Sequence, residues 1–233
     1  MELREVQAYI GRGLDERAQE RLALLGDLII HAGFNVSGIK GPLEIERVHF
    51  LDSLSLLDLE CVSVGTRLAD LGSGAGLPAL VIAIAVPTLR VVAVESQQKK
   101  CAFIDRAVKA LCLENAEVRC VRAEDYGRGS GRGAHDVVVS RALAALPVVA
   151  ELSVPLLESG GTMVAMKGTV SDQERTQAET ALGILGCGTL HAVRLRSFQQ
   201  ADNRLAYLAK KMQATPERYP RRPGMPQKRP LGS

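Results

Sequence analysis

The sequence predicts an α/β protein with a mostly parallel, seven-stranded sheet, helices on both faces and a helical extension before the sheet. From residue 66 onward, short apolar runs alternate with longer segments of helical periodicity, which is typical of strands joined by crossover helices. The run Val137-Val138-Val139 is apolar throughout, as expected for a strand that is buried on both faces. The 233 residues are 46% hydrophobic and 24% charged, enough for one sizeable core.

The first sixty residues have helical rather than strand periodicity. Ala18, Leu22, Leu25 and Ile29 recur on one helical face, and Gly33 follows as a stop signal. The predicted elements of this part are that helix, a loop over residues 34–41 and a helical stretch over 42–60 with a possible break near residue 49.

The later elements follow in regular alternation, and the last two strands are expected to form an antiparallel pair. We expect an N-terminal extension (1–60), a core (61–212) and a C-terminal segment (213–233). The predicted strands span 66–71, 89–94, 116–121, 136–140, 161–166, 189–195 and 205–210, and the predicted helices span 78–86, 97–113, 145–157 and 171–182.

Composition argues against secretion, membrane insertion and metal binding. The longest apolar run, residues 77–89, contains two prolines and is too short to span a bilayer. The N-terminus has no basic region followed by an apolar stretch. The five cysteines include no C-x-x-C pair, so we expect neither a disulfide framework nor a zinc site, and a reducing cytoplasm is the simplest location. The four histidines show no metal-ligand spacing.

The C-terminal tail, residues 215–233, is strongly basic and rich in proline. It has five basic residues and one acid, a charge of +4, so the overall charge of +3 leaves residues 1–214 at −1. Five of the ten prolines lie in it, and we expect it to be extended and exposed. Its charge fits two roles equally, a solvated end or an arm that contacts phosphates.

A glycine-rich turn carries the main chemical signal. Asp70-Leu71-Gly72-Ser73-Gly74-Ala75-Gly76 lies where the first predicted strand meets a helix. Alternate glycines let the backbone turn tightly and approach a ligand, at the sheet edge where α/β proteins bind ligands. Glu95 ends the next strand, where an acid can accept hydrogen bonds from a ribose diol.

The spacing of the glycines distinguishes two kinds of nucleoside ligand. The dinucleotide pattern G-x-G-x-x-G would place its third glycine at Leu77, so it fails. The pattern D-x-G-x-G-x-G instead resembles the first motif of class I S-adenosylmethionine-dependent methyltransferases. That ligand has cationic sulfonium and ammonium groups and no phosphate, so an acid near the loop is compatible with it. The alternative is a glycine-rich turn that serves packing only.

Further segments make the resemblance more specific. Together with the glycine loop, they resemble the 16S rRNA methyltransferase G family, also called glucose-inhibited division protein B, over about residues 34–210. No single segment is specific alone. The further segments are Arg47-Val48-His49-Phe50-Leu51-Asp52-Ser53-Leu54, Ser140-Arg141-Ala142, Met166-Lys167-Gly168 and the tail run Tyr219-Pro220-Arg221-Arg222-Pro223-Gly224.

The resemblance implies methylation of guanine N7 in the 530 loop of 16S rRNA, with S-adenosylmethionine as cofactor. The near-neutral body and the few aromatic residues favour the small ribosomal subunit or an assembly intermediate as the substrate. The apolar residues are accounted for by a core and show no clear dimer helix, so we expect a monomer. Ala79 stands where many members have glycine, a change that should keep the site. The glycine loop and the resemblance together give the candidate cofactor-binding residues. They are Asp70, Gly72, Gly74, Gly76, Leu77, Glu95 for the ribose, Ala123 and Glu124 near the adenine, and Arg141.

Three residues are candidates for the catalytic centre: Arg141, Lys167 and His49. Arg141 and Lys167 each end a predicted strand at the ligand-binding edge. Lys167 is equally consistent with a surface lysine, and His49 with a structural histidine. For Asp52 and Ser53 we favour a structural role, capping a helix or attaching the N-terminal helices to the sheet.

The expected chemistry needs no general base, because guanine N7 carries an unprotonated in-plane lone pair at neutral pH. Catalysis should then rest on positioning the reactants. The chain lacks the Asn/Asp-Pro-Pro-aromatic motif of exocyclic-amine enzymes and a cysteine nucleophile in a strand-end loop.

Only eight aromatic residues are present and none is tryptophan, so RNA recognition should depend on shape and phosphates rather than on stacking. Two alternatives remain open at this point: a small-molecule or protein methyltransferase of the same fold, and a non-catalytic ribosome-binding module.

Overall fold

The computed structural model describes residues 1–6, 14–34, 38–39, 41–196 and 203–233. Within them, seven strands form one sheet. The predicted loop at 34–41 lies partly outside the described residues. The strands are β1 (Arg67–Leu71), β2 (Arg90–Glu95), β3 (Ala116–Cys120), β4 (His135–Arg141), β5 (Leu157–Lys167), β6 (His191–Arg194) and β7 (Leu205–Lys210).

The strand order is β3-β2-β1-β4-β5-β7-β6. The first five strands in this order are parallel, and β7 pairs antiparallel with both β5 and β6. The predicted antiparallel pair is therefore confirmed. The carboxyl ends of β1, β2, β4 and β5 meet at one edge of the sheet.

The helices surround the sheet, and three segments depart from α-helical geometry. Ile45–Leu51 forms a π-helical segment, and Ser55–Asp58 and Val154–Leu156 are 3₁₀ turns. The α-helices are α1 (Glu16–Ile30), α2 (Pro42–Glu44), α3 (Asp52–Leu54), α4 (Glu60–Ser63), α5 (Ala79–Ala85), α6 (Gln98–Ala110), α7 (Ala123–Arg128), α8 (Leu146–Ser153), α9 (Asp172–Leu185) and α10 (Met225–Lys228).

Local signals set the ends of the longer helices. The Asp15 carboxylate accepts a hydrogen bond from the Ala18 amide and caps α1. Ser171 caps α9 in the same way through the Glu174 amide, and α9 ends at Gly186, whose φ of 90° suits glycine. The helical stretch predicted over 42–60 is not broken near residue 49. It continues through the π-helical segment.

Alternate residues of the central strand β4 face two separate cores. Val137 and Val139 belong to the core shared with α1, α5 and α6, whereas Val138 belongs to the core shared with α7, α8 and α9. All three are at most 2% exposed. Because both faces are covered, the strand is apolar throughout, as predicted.

The N-terminal helices share the first of these cores rather than having one of their own. Leu22, Leu25 and Phe50 are fully buried and cluster with the sheet residues Leu68 and Val91. This packing places the π-helical segment beside the ligand-binding edge of the sheet.

The expectation of an extended, exposed tail is only partly right: ten of its nineteen residues are exposed, but the tail packs on the body. Thr215, Tyr219 and Pro226 are buried, and α10 forms within the tail. The tail packs on α7 and α8 because arginines of the body bind its main-chain carbonyls, contacts that composition cannot reveal.

The expectation of no disulfide is also wrong for one pair. Cys101 of α6 and Cys120 of β3 are disulfide-bonded, with Cα atoms 5.6 Å apart. The parallel pairing of β2 with β3 and the packing of α6 bring together residues that no sequence motif links. Cys61, Cys112 and Cys187 are free. In the described part of the chain, no helix is both long and apolar enough to cross a bilayer.

Candidate active site

A cavity of about 670 Å³ opens at the carboxyl edge of the sheet. Its walls come from the loops after β1, β4 and β5, the π-helical segment and the start of β7. Six of the sequence-predicted residues line it: His49, Gly72, Gly74, Leu77, Arg141 and Lys167.

The glycine loop forms one wall of the cavity, and its three glycines have different surroundings. Gly72, Gly74 and Gly76 have φ values of 71°, 59° and 78°, which favour glycine. A Cβ at Gly74 would meet only the Gly72 carbonyl, 3.9 Å away, so Gly74 faces open space. A Cβ at Gly76 would lie 2.6 Å from Leu80, so Gly76 packs against α5 instead of lining the cavity.

The two predicted acids support this loop. The Asp70 carboxylate is buried beneath it and accepts from the Ala79 amide at 3.2 Å, while its Oδ1 has no partner among the described residues. Burial raises the pKa of Asp70 to about 6. Glu95 accepts from the amides of Ser96 and Gln97 at 2.8 Å and from Gly74 at 3.0 Å. Glu95 therefore attaches the loop to the end of β2.

Arg141 connects the sheet to the π-helical segment above the cavity. Its Nη1 donates to the Val48 carbonyl at 2.9 Å and lies 3.7 Å from Asp52 Oδ2. Arg204 Nε donates to Asp52 Oδ1 at 3.0 Å. Asp52 therefore attaches the N-terminal helices to two points of the sheet edge, as its structural interpretation predicts, and it also lines the cavity. Ser53 donates to the His49 carbonyl within the helix.

His49 is buried against Arg141, with Nδ1 3.4 Å from the guanidinium Nη2. Because a guanidinium only donates, Nδ1 must be the acceptor, and we assign the proton to Nε2. Nε2 has no partner among the described residues. Burial and the charge of Arg141 lower the pKa of His49 to about 4. His49 is therefore neutral at physiological pH.

Lys167 lies at the end of β5 and joins three elements. Its Nζ donates to the Ala144 carbonyl at 2.8 Å and pairs with Glu174 of α9 at 2.9 Å. Glu174 also accepts from the Leu146 amide at 2.8 Å. Lys167 is thus a cavity wall residue whose position is fixed by two partners.

Ala123 and Glu124 form the first turn of α7, outside the lining of this cavity. The Glu124 carboxylate accepts from Arg122 Nη2 at 3.1 Å and from the Gly224 amide at 2.8 Å. Burial alone would raise the pKa of Glu124, but these hydrogen bonds outweigh it and lower the pKa.

Sequence reasoning missed Arg204 as a cavity residue because no local motif surrounds it. One signal was available. In the antiparallel pairing of β5 with β7, Leu205 lies opposite Lys167, so the first residues of β7 return to the ligand-binding edge. Other lining residues that were not predicted include Ser73, Ala142, Met166, Leu195 and Leu205.

The residues present fit S-adenosylmethionine. Gly74 leaves open space beside the loop, and the cavity volume is in the range of small-molecule sites. The unpartnered Asp70 Oδ1 places negative charge beneath the loop, which suits a cationic ligand. Among the described residues, no group of three His, Cys, Asp or Glu side chains is arranged to hold a metal ion.

Comparison with solved structures defines the class. A tRNA (m1A58) methyltransferase of Aquifex aeolicus superposes with a TM-score of 0.53, at 14% identity over 70% of this chain and 69% of its own. The S-adenosylmethionine-dependent methyltransferase SibL superposes with a TM-score of 0.58, at 13% identity over 91% and 74%. The fold is that of the class I S-adenosylmethionine-dependent methyltransferases.

Sequence comparison then defines the family. The family model for rRNA small subunit methyltransferase G matches residues 20–203. The protein of that name from Pelotomaculum thermopropionicum is 42% identical over 84% of this chain and 83% of its own. The Staphylococcus saprophyticus protein is 31% identical over 95% and 93%. The chain belongs to the rRNA small subunit methyltransferase G family.

Proposed function

We propose that the protein methylates N7 of one guanine in the 530 loop of 16S rRNA, using S-adenosylmethionine. Family membership supports an rRNA methyltransferase of the small subunit. The observation that carries the assignment to this cavity is the glycine loop, held by Glu95 and open at Gly74, in the wall of a cavity large enough for a nucleoside ligand.

Each cofactor contact is assigned to a residue type that fits it. The main chain of Gly72 and Gly74 would approach the cofactor closely. Glu95 already accepts three amide hydrogen bonds, and its remaining lone pair, on Oε2, would accept from a ribose hydroxyl. Leu77 offers an apolar wall. Ala123 and Glu124 lie outside the cavity lining and would border the adenine where the cofactor extends beyond the cavity along the sheet edge. Asp70 and Gly76 would act from beneath, by shaping the loop. S-adenosylmethionine supplies an electrophilic methyl group when bound.

The residues of the cavity would orient the base rather than remove a proton. Guanine N7 is already unprotonated, so neutral His49 and the paired Arg141 and Lys167 can act by holding the substrate edge in line. Arg141 and Arg204 share the single lining acid Asp52, and Lys167 pairs with Glu174, so one positive charge of this group is left to favour RNA.

The assembled subunit is the proposed substrate. The chain outside the tail carries a charge of −1 and few aromatic residues, which predicts weak binding to bare RNA. Recognition would then depend on a surface that exists only when RNA and ribosomal proteins are together.

A methyl-transfer assay tests this proposal. Purified protein and radiolabelled S-adenosylmethionine are incubated with unmethylated small subunits, with naked 16S rRNA and with ribosomal proteins alone, and the labelled base is mapped. We expect label on one guanine of the 530 loop, mostly in intact subunits. Label on protein, or none on any substrate while the cofactor is bound, would refute it and support one of the alternative functions.

A further inference from the structure

The C-terminal tail is held on the body through its main chain. The Arg132 guanidinium donates to the carbonyls of Thr215 at 2.9 Å and Tyr219 at 2.6 Å, and Arg128 Nε donates to the Pro220 carbonyl at 2.9 Å. These contacts fix the path of the tail across α7 and the turns that follow it. They do not use the positive charges of the tail.

One tail arginine neutralises a buried acid of the body. Glu151 of α8 is fully buried, and Arg221 pairs with it through Nε at 2.8 Å and Nη2 at 2.6 Å. The Arg221 amide also donates to Glu151, and Nη2 donates to the Arg229 carbonyl. Without Arg221 the Glu151 charge would be buried without a partner, so this contact anchors the tail strongly.

From this anchor the tail reaches the first turn of α7. The Gly224 amide donates to Glu124 Oε1 at 2.8 Å, beside the Arg122 contact. The turn follows the end of β3, where Cys120 lies opposite Glu95 in the sheet. The tail therefore passes beside the same sheet edge that carries the glycine loop before it continues through α10.

We infer that the tail is a brace for the adenine side of the cofactor site, meaning that it holds the first turn of α7 in position. This inference deepens the proposed function and rests on it. Glu124 is a positioning residue whose carboxylate joins the tail to α7, so that the main chain of Ala123 and Glu124 is held ready for the cofactor. Arg221 and Gly224 are positioning residues that act through Glu124: Arg221 anchors the tail, and the Gly224 amide binds the Glu124 carboxylate. Preorganising a site in this way raises affinity because less order is lost on binding.

The first test compares two neighbouring arginines of the tail. Binding of S-adenosylhomocysteine is measured by calorimetry for the full chain, Arg221→Ala and Arg222→Ala. Arg222 is exposed, so its variant is a control that removes the same charge. We expect roughly tenfold weaker binding for Arg221→Ala and less than a twofold change for Arg222→Ala. Unchanged affinity in a folded Arg221→Ala protein would overturn the brace.

A double-mutant cycle separates positioning from direct contact. If Glu124 acts through the tail, Glu124→Ala and Arg221→Ala disturb the same turn, and their combined loss of affinity is smaller than the product of the single losses. 5′-Methylthioadenosine, which contains the adenosine half of the cofactor, should lose the same factor. Multiplicative losses would show that Glu124 and Arg221 act independently and would overturn the inference.

Arg221→Ala leaves a buried charge and can impair folding, so a second variant adds Glu151→Gln, which removes that charge. Thermal unfolding checks both proteins, and the double variant carries the test if the single one does not fold. Failure of the unaltered chain to bind S-adenosylhomocysteine would refute the proposed cofactor itself. If subunit methylation weakens while S-adenosylhomocysteine affinity stays unchanged, the tail is an RNA-contacting arm and the brace is refuted.

Discussion

Substitutions of the two glycines Gly74 and Gly76 should have different effects. Gly74 combines a positive φ with open space beyond its Cα, so any side chain there enters the cavity. Gly76 has a similar φ, but its missing Cβ makes room for Leu80. Substitution of Gly74 should therefore affect the ligand, and substitution of Gly76 the core.

Gly74→Arg should abolish binding of S-adenosylhomocysteine while the protein still folds. The side chain fills the cavity, and the positive φ costs about 1 kcal/mol of stability. Gly33→Arg is the matched control, because Gly33 follows α1, has a φ of 76° and has no neighbouring atom within 4 Å of the place that a Cβ would take. Calorimetry with thermal unfolding measures both. Full affinity in Gly74→Arg would place the cofactor elsewhere.

Buried histidines should make stability depend on pH. Burial lowers the pKa of His49 and His135 to about 4, so below pH 6.5 the unfolded chain binds protons that the folded chain does not. The free energy of unfolding then falls as the pH drops from 6.5 to 4. Asp70 works in the opposite direction, because its raised pKa of about 6 favours the folded state at low pH.

His135→Gln isolates one of these contributions. Between pH 7 and pH 5 the variant should lose less stability than the original chain, by about 2 kcal/mol. Denaturant unfolding at the two pH values measures the difference, and His191→Gln, at an exposed position, is the control. An identical loss of stability in His135→Gln and the original chain would contradict the assigned pKa.

At the scale of elements, the cavity depends on how the N-terminal helices are attached to the sheet. The π-helical segment carries Val48 and His49 over the glycine loop, and Arg141 and Arg204 hold it through Val48 and Asp52. We call this group of residues, Val48, His49, Asp52, Arg141 and Arg204, the roof of the cavity. It is made by residues from the beginning, middle and end of the chain. Its stability is therefore a condition for activity.

Asp52→Asn should lower the free energy of unfolding by about 2 kcal/mol, because Arg141 loses its nearest carboxylate in a largely buried setting. We expect methyl transfer to fall more than cofactor affinity, since the roof borders the substrate side. Asp105→Asn in α6 breaks an exposed pair with Lys109 and should cost less than about 0.5 kcal/mol. Equal stability of the two variants would contradict the role of Asp52.

At the scale of the whole molecule, sequence periodicity predicted the strands and helices whose formation depends on local patterns. The seven strands and the α1 and α9 helices were predicted because apolar spacing and a glycine stop are local signals. The glycine loop was recognised from its spacing. Docking of the tail, the Cys101–Cys120 disulfide and the place of Arg204 depend on residues far apart in sequence, and no local pattern encodes them.

The same distinction applies to the site. Sequence placed Gly72, Gly74 and Arg141 correctly at the cavity, because each ends or follows a parallel strand at one edge. Sequence could not show that the Glu124 carboxylate is occupied by Arg122 and the tail. Which atoms are free for a ligand is a property of packing rather than of motif.

The most direct test of the central claim is mass spectrometry of nucleosides from 16S rRNA of cells with and without the gene. We predict loss of one 7-methylguanosine without the gene, and its restoration when purified protein and S-adenosylmethionine are added to the deficient small subunits. An unchanged nucleoside profile would contradict guanine N7 of 16S rRNA as the methyl acceptor.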